Sequence, residues 1–338
     1  MPALQPVGFI VSTLVLALSL LMLIPAATDA AFGHPDWVVF LLSSGVGAAI
    51  GGMGALTWRT TPISLGIRQA FLVTTLSWVT MSAVAALPLF FSTLDVTYTD
   101  AFFEAMSGLT TTGSTVLVGL DDMPPGILLW RSLMQWIGGA GIIVMGMAIL
   151  PFLRVGGMQL FRTESADRSD KILPRPGQIA GAIGGVYVVF TSLCGGLYVA
   201  TGMTGFEALN HAMTTVATGG YSTSDNSLGN WGPPVQVVAT VFMLLGALPF
   251  VLYVRVVQGR PTALYRDTQV RTLLALLAVA TITIALWLVV DGEVEPVTAL
   301  RLAAFNVVSI VTTTGYASAD YWQWGGLAAI GFFCLTFV

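Results

Sequence analysis

The sequence predicts an all-α polytopic membrane protein. Parallel membrane–pore-loop–membrane repeats surround a pseudo-symmetric pore, and two extra helices precede them. Three observations predict this class: a composition unsuited to water, a series of long apolar segments, and a Thr/Gly stretch that recurs three times in one context. The 338 residues are 55% hydrophobic and only 9% charged, with a mean hydropathy of +0.84. A soluble globular domain carries about 25% charged residues, so this chain has the lipid bilayer as its partner. The net charge of −4 specifies no further one, and nothing points to nucleic acid. Cys194 and Cys334 lie in apolar runs and read as small buried hydrophobes. With His34 and His211 as the only histidines, a disulfide framework or a transition-metal site is not expected. The only lysine is Lys171, outside any glycine–lysine phosphate loop. No nucleophile–base pair is visible, so the chain does not read as an enzyme.

A helix needs about 20 apolar residues to cross a bilayer. Segments 7–28, 36–57, 66–92, 126–151, 178–201, 233–257 and 271–290 qualify, and an eighth begins near Gly325 and runs to Val338. The first is expected to be a transmembrane helix rather than a signal peptide, because no basic residue precedes Arg59. Gly47–Gly51 and Gly177–Gly181 are GxxxG pairs suited to close helix packing. Trp130, Trp136, Trp231, Trp322 and Trp324 sit where an interfacial aromatic belt is expected.

Charge placement orients the chain. Of 13 basic residues, Arg59, Arg68, Arg154, Arg162, Arg168, Lys171, Arg175, Arg255, Arg260, Arg266 and Arg271 fall in three loops on one side. The positive-inside rule makes those loops and the N-terminus cytoplasmic, as in a multi-pass protein of a bacterial inner membrane. Most of the 17 acidic residues fall on the other side. They either concentrate cations there or keep the outer loops soluble.

The recurrent element is DAFFEAMSGLTTTGSTVL after the third span, GFEALNHAMTTVATGGYSTSDNS after the fifth and ALRLAAFNVVSIVTTTGYASADYW after the seventh. Aligned on Gly113, Gly220 and Gly315, the preceding residues are Thr110, Thr111 and Thr112; Ala217, Thr218 and Gly219; and Thr312, Thr313 and Thr314. Nine residues before each aligned glycine stand Glu104, His211 and Asn306, each polar within an apolar stretch. Every copy reads as a span, a half-helix of about 10–14 residues that is too short to cross, a Thr/Gly stretch and a further span. Each unit crosses twice, so consecutive units are parallel and related by an axis along the membrane normal.

Irregular backbone at membrane depth must be buried in protein or line a watery cavity. Here it can replace the water of an ion. A bare ion in hydrocarbon costs on the order of 20 kcal/mol, and rings of backbone carbonyls offset that cost. Glycine permits the backbone angles required, and threonine adds hydroxyl oxygens. Oxygen ligands without carboxylates suit a monovalent cation that must also leave, whereas a divalent site calls for carboxylates.

The three loops, with AFFEAMSGLTTTGSTVL, ATGGYS and FNVVSIVTTTGY, resemble the pore loops of the Trk/Ktr/HKT superfamily of potassium transporters. RSLMQWIGGAGIIVMGMAILPF, the following GGMQLFR and the two extra spans resemble the TrkH branch. The resemblance covers essentially the whole chain. It implies a potassium-permeable pore in which the twelve residues Thr110–Gly113, Ala217–Gly220 and Thr312–Gly315 supply a selectivity filter, with potassium at their carbonyls as the transported ion and no other cofactor. Serine at the first filter glycine accompanies sodium preference in plant-type relatives, so Gly113 implies potassium. The resemblance also implies a homodimer and a TrkA-like nucleotide-binding regulatory subunit in the cytosol; the basic loops 152–177 and 258–270 are where that contact is expected.

The resemblance further implies four repeats, whereas the sequence shows three: 1–62 carries the two extra helices, 63–175, 176–268 and 269–338 the repeats, the last incomplete. The expectation is therefore a truncated product or fragment. A non-conducting fragment or regulatory subunit pairing with a full-length homologue remains an alternative. So does a sodium- or proton-coupled symporter, although coupling usually leaves an ionisable group at mid-membrane and only Glu104 and Arg131 stand there. Glu104 either attracts cations or braces the loop, and bracing is favoured because His211 and Asn306 share its position. Arg131, costly in the membrane unless paired, is expected to pair with Glu104 or Asp121. Tyr221 and Tyr316 are expected to pack behind the filter.

Overall fold

The computed structural model describes residues 4–59, 66–153, 176–291 and 294–337, and among them the regular structure is helical, with no strand. The chain forms two compact units. The first comprises Met1–Thr110, Ser114–Leu117 and Asp122–Pro174; the second comprises Thr111–Gly113, Val118–Asp121 and Arg175–Val338. The basic residues Arg154, Arg162, Arg168, Lys171 and Arg175, and with them most of the expected 152–177 contact loop, lie outside the described residues, as does Val338.

In the first unit, α1 (Gln5–Leu21) and α2 (Leu23–Phe32) form one apolar run of 28 residues. They part at Met22, where Pro25 has no N–H for the Leu21 carbonyl. Gly33, with φ 74°, ends α2 in a left-handed cap. The chain then returns as α3 (Trp37–Thr57). The two runs pack closely because α3 presents glycine to α1. A Cβ on Gly51 would lie 2.6 Å from the Leu16 nitrogen and 2.9 Å from the Ser12 carbonyl oxygen, and Gly47 and Gly54 seat Ser19 and Ser12. Ser44 Oγ also donates to the Ser19 carbonyl at 2.7 Å. Gly51→Ala is therefore expected to destabilise by about 1–3 kcal/mol through overpacking. Gly45→Ala, with nothing among the described residues within 4 Å of its Cβ, is expected to be neutral or stabilising. Melting of the two variants in detergent checks this, and equal midpoints would refute the packing argument. The other expected glycine pair differs: among the described residues, nothing lies within 4 Å of a Cβ on Gly181.

The unit continues with α4 (Ile67–Phe91), the short α5 (Tyr98–Leu109) and the 29-residue α6 (Pro125–Leu153), which covers the fourth expected span. Asp29 Oδ1 accepts the Gly126 N–H at 2.6 Å and so caps the first turn of α6 from α2. Trp130, expected in an interfacial belt, is an interior residue. It is fully buried, donates Nε1–H to the Ala85 carbonyl at 3.0 Å and meets Phe40 edge-on. A tryptophan near a helix end can as well lock two helices together when its N–H finds a buried carbonyl.

The second unit contains α7 (Pro176–Ala200), α8 (Gly205–Val216), α9 (Pro233–Ala247), α10 (Phe250–Val257), α11 (Ala263–Arg266), α12 (Thr268–Val290), α13 (Pro296–Val311) and α14 (Gly325–Leu335). The expected span 233–257 is broken: α9 and α10 meet at 90°. Leu248 is extended (φ −75°, ψ 149°), as the residue before Pro249 must tend to be. The Tyr253 hydroxyl takes up the freed Leu245 carbonyl at 2.7 Å. Cys194 is buried, but Cys334 is exposed, because α14 buries only Ala328 and Phe332.

Among the described residues, five helical runs are long and apolar enough to cross a membrane: Gln5–Phe32, Trp37–Thr57, Ile67–Phe91, Ala180–Ala200 and Thr268–Val290, with the bent α9–α10 pair a sixth. Their most apolar windows are only 22–33% buried, leaving side chains such as Leu42, Ile50, Leu193 and Leu286 exposed. A surface of this kind fits lipid, not water.

Candidate functional site

Each Thr/Gly stretch follows a short helix whose start is capped from its own sequence. Thr97 and Asp100 cap α5 reciprocally: the Thr97 hydroxyl accepts the Asp100 N–H at 3.2 Å, and the Asp100 carboxylate accepts the Thr97 N–H at 3.1 Å. Thr204 and Glu207 do the same for α8 at 3.3 and 2.8 Å. At α13, Glu295 accepts the Thr298 N–H at 2.9 Å with Pro296 in the first turn, and these bonds hold its exposed carboxyl below the usual range. Sequence reading missed these caps, although Thr-x-x-Asp and Thr-x-x-Glu before an apolar run announce them. The helices have 12, 12 and 16 residues, so the third exceeds the expected length.

Beyond the helices the backbone repeats its conformation. Thr111, Thr218 and Thr313 have φ of 55°, 50° and 57°, and Gly113, Gly220 and Gly315 have φ of 81°, 76° and 83°. Left-handed backbone at a β-branched residue is a genuine outlier. Such conformations cost about 1–3 kcal/mol each and persist only where the surroundings over-determine them. In the second repeat, the N–H groups of Gly219 and Gly220 point back to the Thr214 carbonyl at 2.9 and 3.5 Å; in the third, those of Thr314 and Gly315 point to the Ser309 carbonyl at 2.9 and 3.2 Å. The N–H groups thus face the helix end, which frees carbonyls for the opposite side.

Within the second unit the three stretches converge. A Cβ on Gly113 would overlap the Gly219 carbonyl oxygen and lie 3.5 Å from that of Thr314. A Cβ on Gly220 would overlap the Thr314 carbonyl oxygen and lie 3.4 Å from the Gly315 carbonyl carbon. Around Gly315 no described atom comes within 4 Å of a Cβ. The hydroxyls of Thr110 and Thr312 turn instead to the helix carbonyls of Met106 and Val308, each at 2.7 Å.

The three polar residues nine positions before the glycines each hold the segment just after the Thr/Gly stretch. Glu104 accepts the Thr115 hydroxyl at 2.9 and 3.0 Å and the Val116 N–H at 3.1 Å. His211 Nε2 lies 3.0 Å from Ser222 Oγ. Asn306 Nδ2 donates to Ser318 Oγ at 2.9 Å. Arg131 pairs with Glu104, Nε to Oε1 at 2.8 Å, with both side chains buried, and donates from Nη2 to Thr115 Oγ1 at 3.2 Å. Asp121 instead accepts the Asp225 N–H at 3.2 Å, while the Asp225 carboxylate accepts the N–H groups of Gly119 and Leu120 at 2.8 and 3.1 Å. Several of the acidic residues expected on the outer side thus cap helices or tie loops. Tyr221 and Tyr316 are buried.

Apolar spans, capped half-helices and strained Thr/Gly backbone together define a multi-pass membrane protein of the pore-loop class. Residues 45–337 match the TrkH family, described as a cation transport protein. The chain is 48% identical over 336 residues to the Trk system potassium uptake protein TrkI of Halomonas elongata, covering 98% of this chain and 68% of that protein. It is 36% identical to the Escherichia coli K12 Trk system potassium uptake protein TrkH, covering 97% of this chain and 69% of that one. The crystal structure of the potassium transporter TrkH from Vibrio parahaemolyticus superimposes with a TM-score of 0.90 at 31% identity, over 98% of this chain and 69% of that one. The chain belongs to the TrkH family of cation transport proteins.

Proposed function

We propose that the chain mediates potassium uptake across the cell membrane through a channel-like pore. The observation that carries this is the threefold recurrence of left-handed Thr and Gly backbone at matching positions, with glycine from one repeat packed against a carbonyl of the next. Carbonyls at Thr110–Gly113, Ala217–Gly220 and Thr312–Gly315 replace the water of a potassium ion. Glu104, His211, Asn306 and Arg131 hold the segments behind them. Glycine at position 113, where sodium-preferring relatives carry serine, favours potassium. The named relatives are potassium uptake proteins. The positive-inside rule supports a cytoplasmic N-terminus in an inner membrane. By family likeness the working form is a homodimer regulated by a TrkA-like nucleotide-binding subunit, for which the described residues Arg260 and Arg266 offer part of a cytoplasmic contact.

A second reading, in which this chain conducts only alongside a further polypeptide, is favoured by one observation. Gly113 and Gly220 abut carbonyls, whereas the same side of Gly315 is open among the described residues. Rubidium uptake by cells lacking their own potassium uptake systems, expressing this chain with sodium as competitor, separates the two. Saturable, sodium-resistant uptake is expected from the first reading. Absence of uptake despite confirmed insertion is expected from the second.

A further inference from the structure

The repeats differ in how the carbonyl following the filter glycine is held. In the first, Ser107 Oγ donates to the Ser114 carbonyl at 2.6 Å. In the third, Ser309 Oγ donates to the Tyr316 carbonyl at 2.7 Å. Both serines stand six residues before the glycine, and each latches its own repeat. The equivalent pair in the second repeat is Thr214 and Tyr221. There the Thr214 hydroxyl lies against the helix carbonyls of Asn210 and His211 at 3.1 and 3.3 Å. A β-branched residue in a helix has few χ1 options, and threonine tends to bond the preceding turn.

Another residue stands in the vacated place. The Tyr316 hydroxyl, from the third repeat, lies 2.5 Å from Thr214 Oγ1, 3.3 Å from Thr215 Oγ1 and 3.5 Å from the Tyr221 carbonyl oxygen. It also lies 3.4 Å from the His211 carbonyl oxygen. From the other side, the Tyr198 hydroxyl of α7 reaches Thr215 Oγ1 at 2.8 Å. Tyr316 is 1% exposed and Thr214 and Thr215 are fully buried. The same Thr214 supplies the carbonyl that gathers the N–H groups of Gly219 and Gly220.

We infer that Tyr316 is a specificity-setting positioning residue: its hydroxyl stands in the second repeat where Ser107 and Ser309 stand in theirs and couples the Thr218–Gly220 stretch to the third. The inference rests on the potassium-pore reading for its consequence, but not for its geometry. Discrimination between monovalent ions of different size depends on how carbonyls are spaced and how far they give way. A latch from a neighbouring repeat makes the second and third stretches move together, whereas Ser107 and Ser309 bind only their own. Sequence comparison of the repeats aligns Tyr316 with Ser114 and Tyr221, and this alone does not single it out.

The test uses the full chain and the variant Tyr316→Phe, which keeps the ring and removes the hydroxyl. A hydrogen bond contributes about 0.5–1.5 kcal/mol net, so amide hydrogen exchange across Ala217–Ser222 should rise about two- to tenfold. Exchange in α12 should not change. The ratio of rubidium to sodium uptake should fall by a similar factor, with maximal rubidium uptake retained. Thr214→Ser in the Tyr316→Phe background should restore both, because serine at this position can latch its own repeat as Ser107 and Ser309 do. Unchanged exchange across Ala217–Ser222, exchange raised equally in α12, or absence of rescue by Thr214→Ser would overturn the inference. If the unaltered chain takes up no rubidium, the transport reading fails on its own account, while the exchange measurement still decides the latch.

Discussion

Arg131→Met is expected to destabilise the protein by about 3–5 kcal/mol, the range seen when one partner of a buried ion pair is removed. Both side chains of the Glu104–Arg131 pair are essentially inaccessible. Without Arg131, the Glu104 carboxylate keeps Thr115 and Val116 as donors but loses the counter-charge of the guanidinium in a low-dielectric setting. The loss should appear as a lowered melting midpoint in detergent and reduced accumulation in the membrane. Glu104→Gln in the Arg131→Met background should recover much of it, because a neutral amide still accepts from Thr115 and Val116. Additive losses in the double variant would contradict the pairing. Arg131→Lys should fall between, since an ammonium keeps the charge but lacks the rigid fork by which the guanidinium reaches Glu104 through Nε and Thr115 through Nη2.

The second large effect concerns Gly220. An alanine there meets two obstacles. Its φ of 76° places an L-residue in the left-handed region, at about 1–2 kcal/mol, and its methyl overlaps the Thr314 carbonyl oxygen. The overlapped atom is backbone and belongs to the third repeat's own stretch, so relief requires the second and third stretches to separate. Gly315→Ala carries the first obstacle only, since nothing described lies within 4 Å of its Cβ. Gly220→Ala is therefore expected to abolish rubidium uptake in any setting where the unaltered chain supports it, and to lower the melting midpoint more than Gly315→Ala does. Equal losses from both substitutions would show that backbone angle alone, and not the approach of neighbouring carbonyls, governs these positions.

Much of the fold was legible because the bilayer simplifies the physics. With no water in the hydrocarbon region, a spanning segment must satisfy its own backbone, so length and apolarity locate helices well. The runs at 7–28, 36–57, 66–92 and 271–290 emerge as helices within a few residues of those limits. The broken span at 233–257 was not read, because hydropathy sees only composition and is blind to the local angles that Pro249 imposes on Leu248. Trp130 was misplaced for a related reason: nearness to a helix end does not reveal whether a neighbour offers a carbonyl, and Ala85 does.

The candidate site divides in the same way. The threefold alignment on Gly113, Gly220 and Gly315, and the polar residues nine positions earlier, came from the sequence alone. Repetition in matching context is a one-dimensional property, and spacing within a helix sets which residue lies one or two turns behind a loop. The choice of Glu104 over Asp121 as partner of Arg131, the engagement of Asp121 and Asp225 in loop hydrogen bonds, and the reach of Tyr316 to Thr214 were decided only in three dimensions. These contacts join residues 27 to 106 positions apart. Which of several chemically able partners a buried polar group takes depends on packing that no local pattern encodes. The chain by itself determined that it belongs in a membrane, that three pore-like loops recur and which glycines mark them. Only the tertiary structure decided how those loops brace one another, because that bracing is a matter of approach between segments distant along the chain.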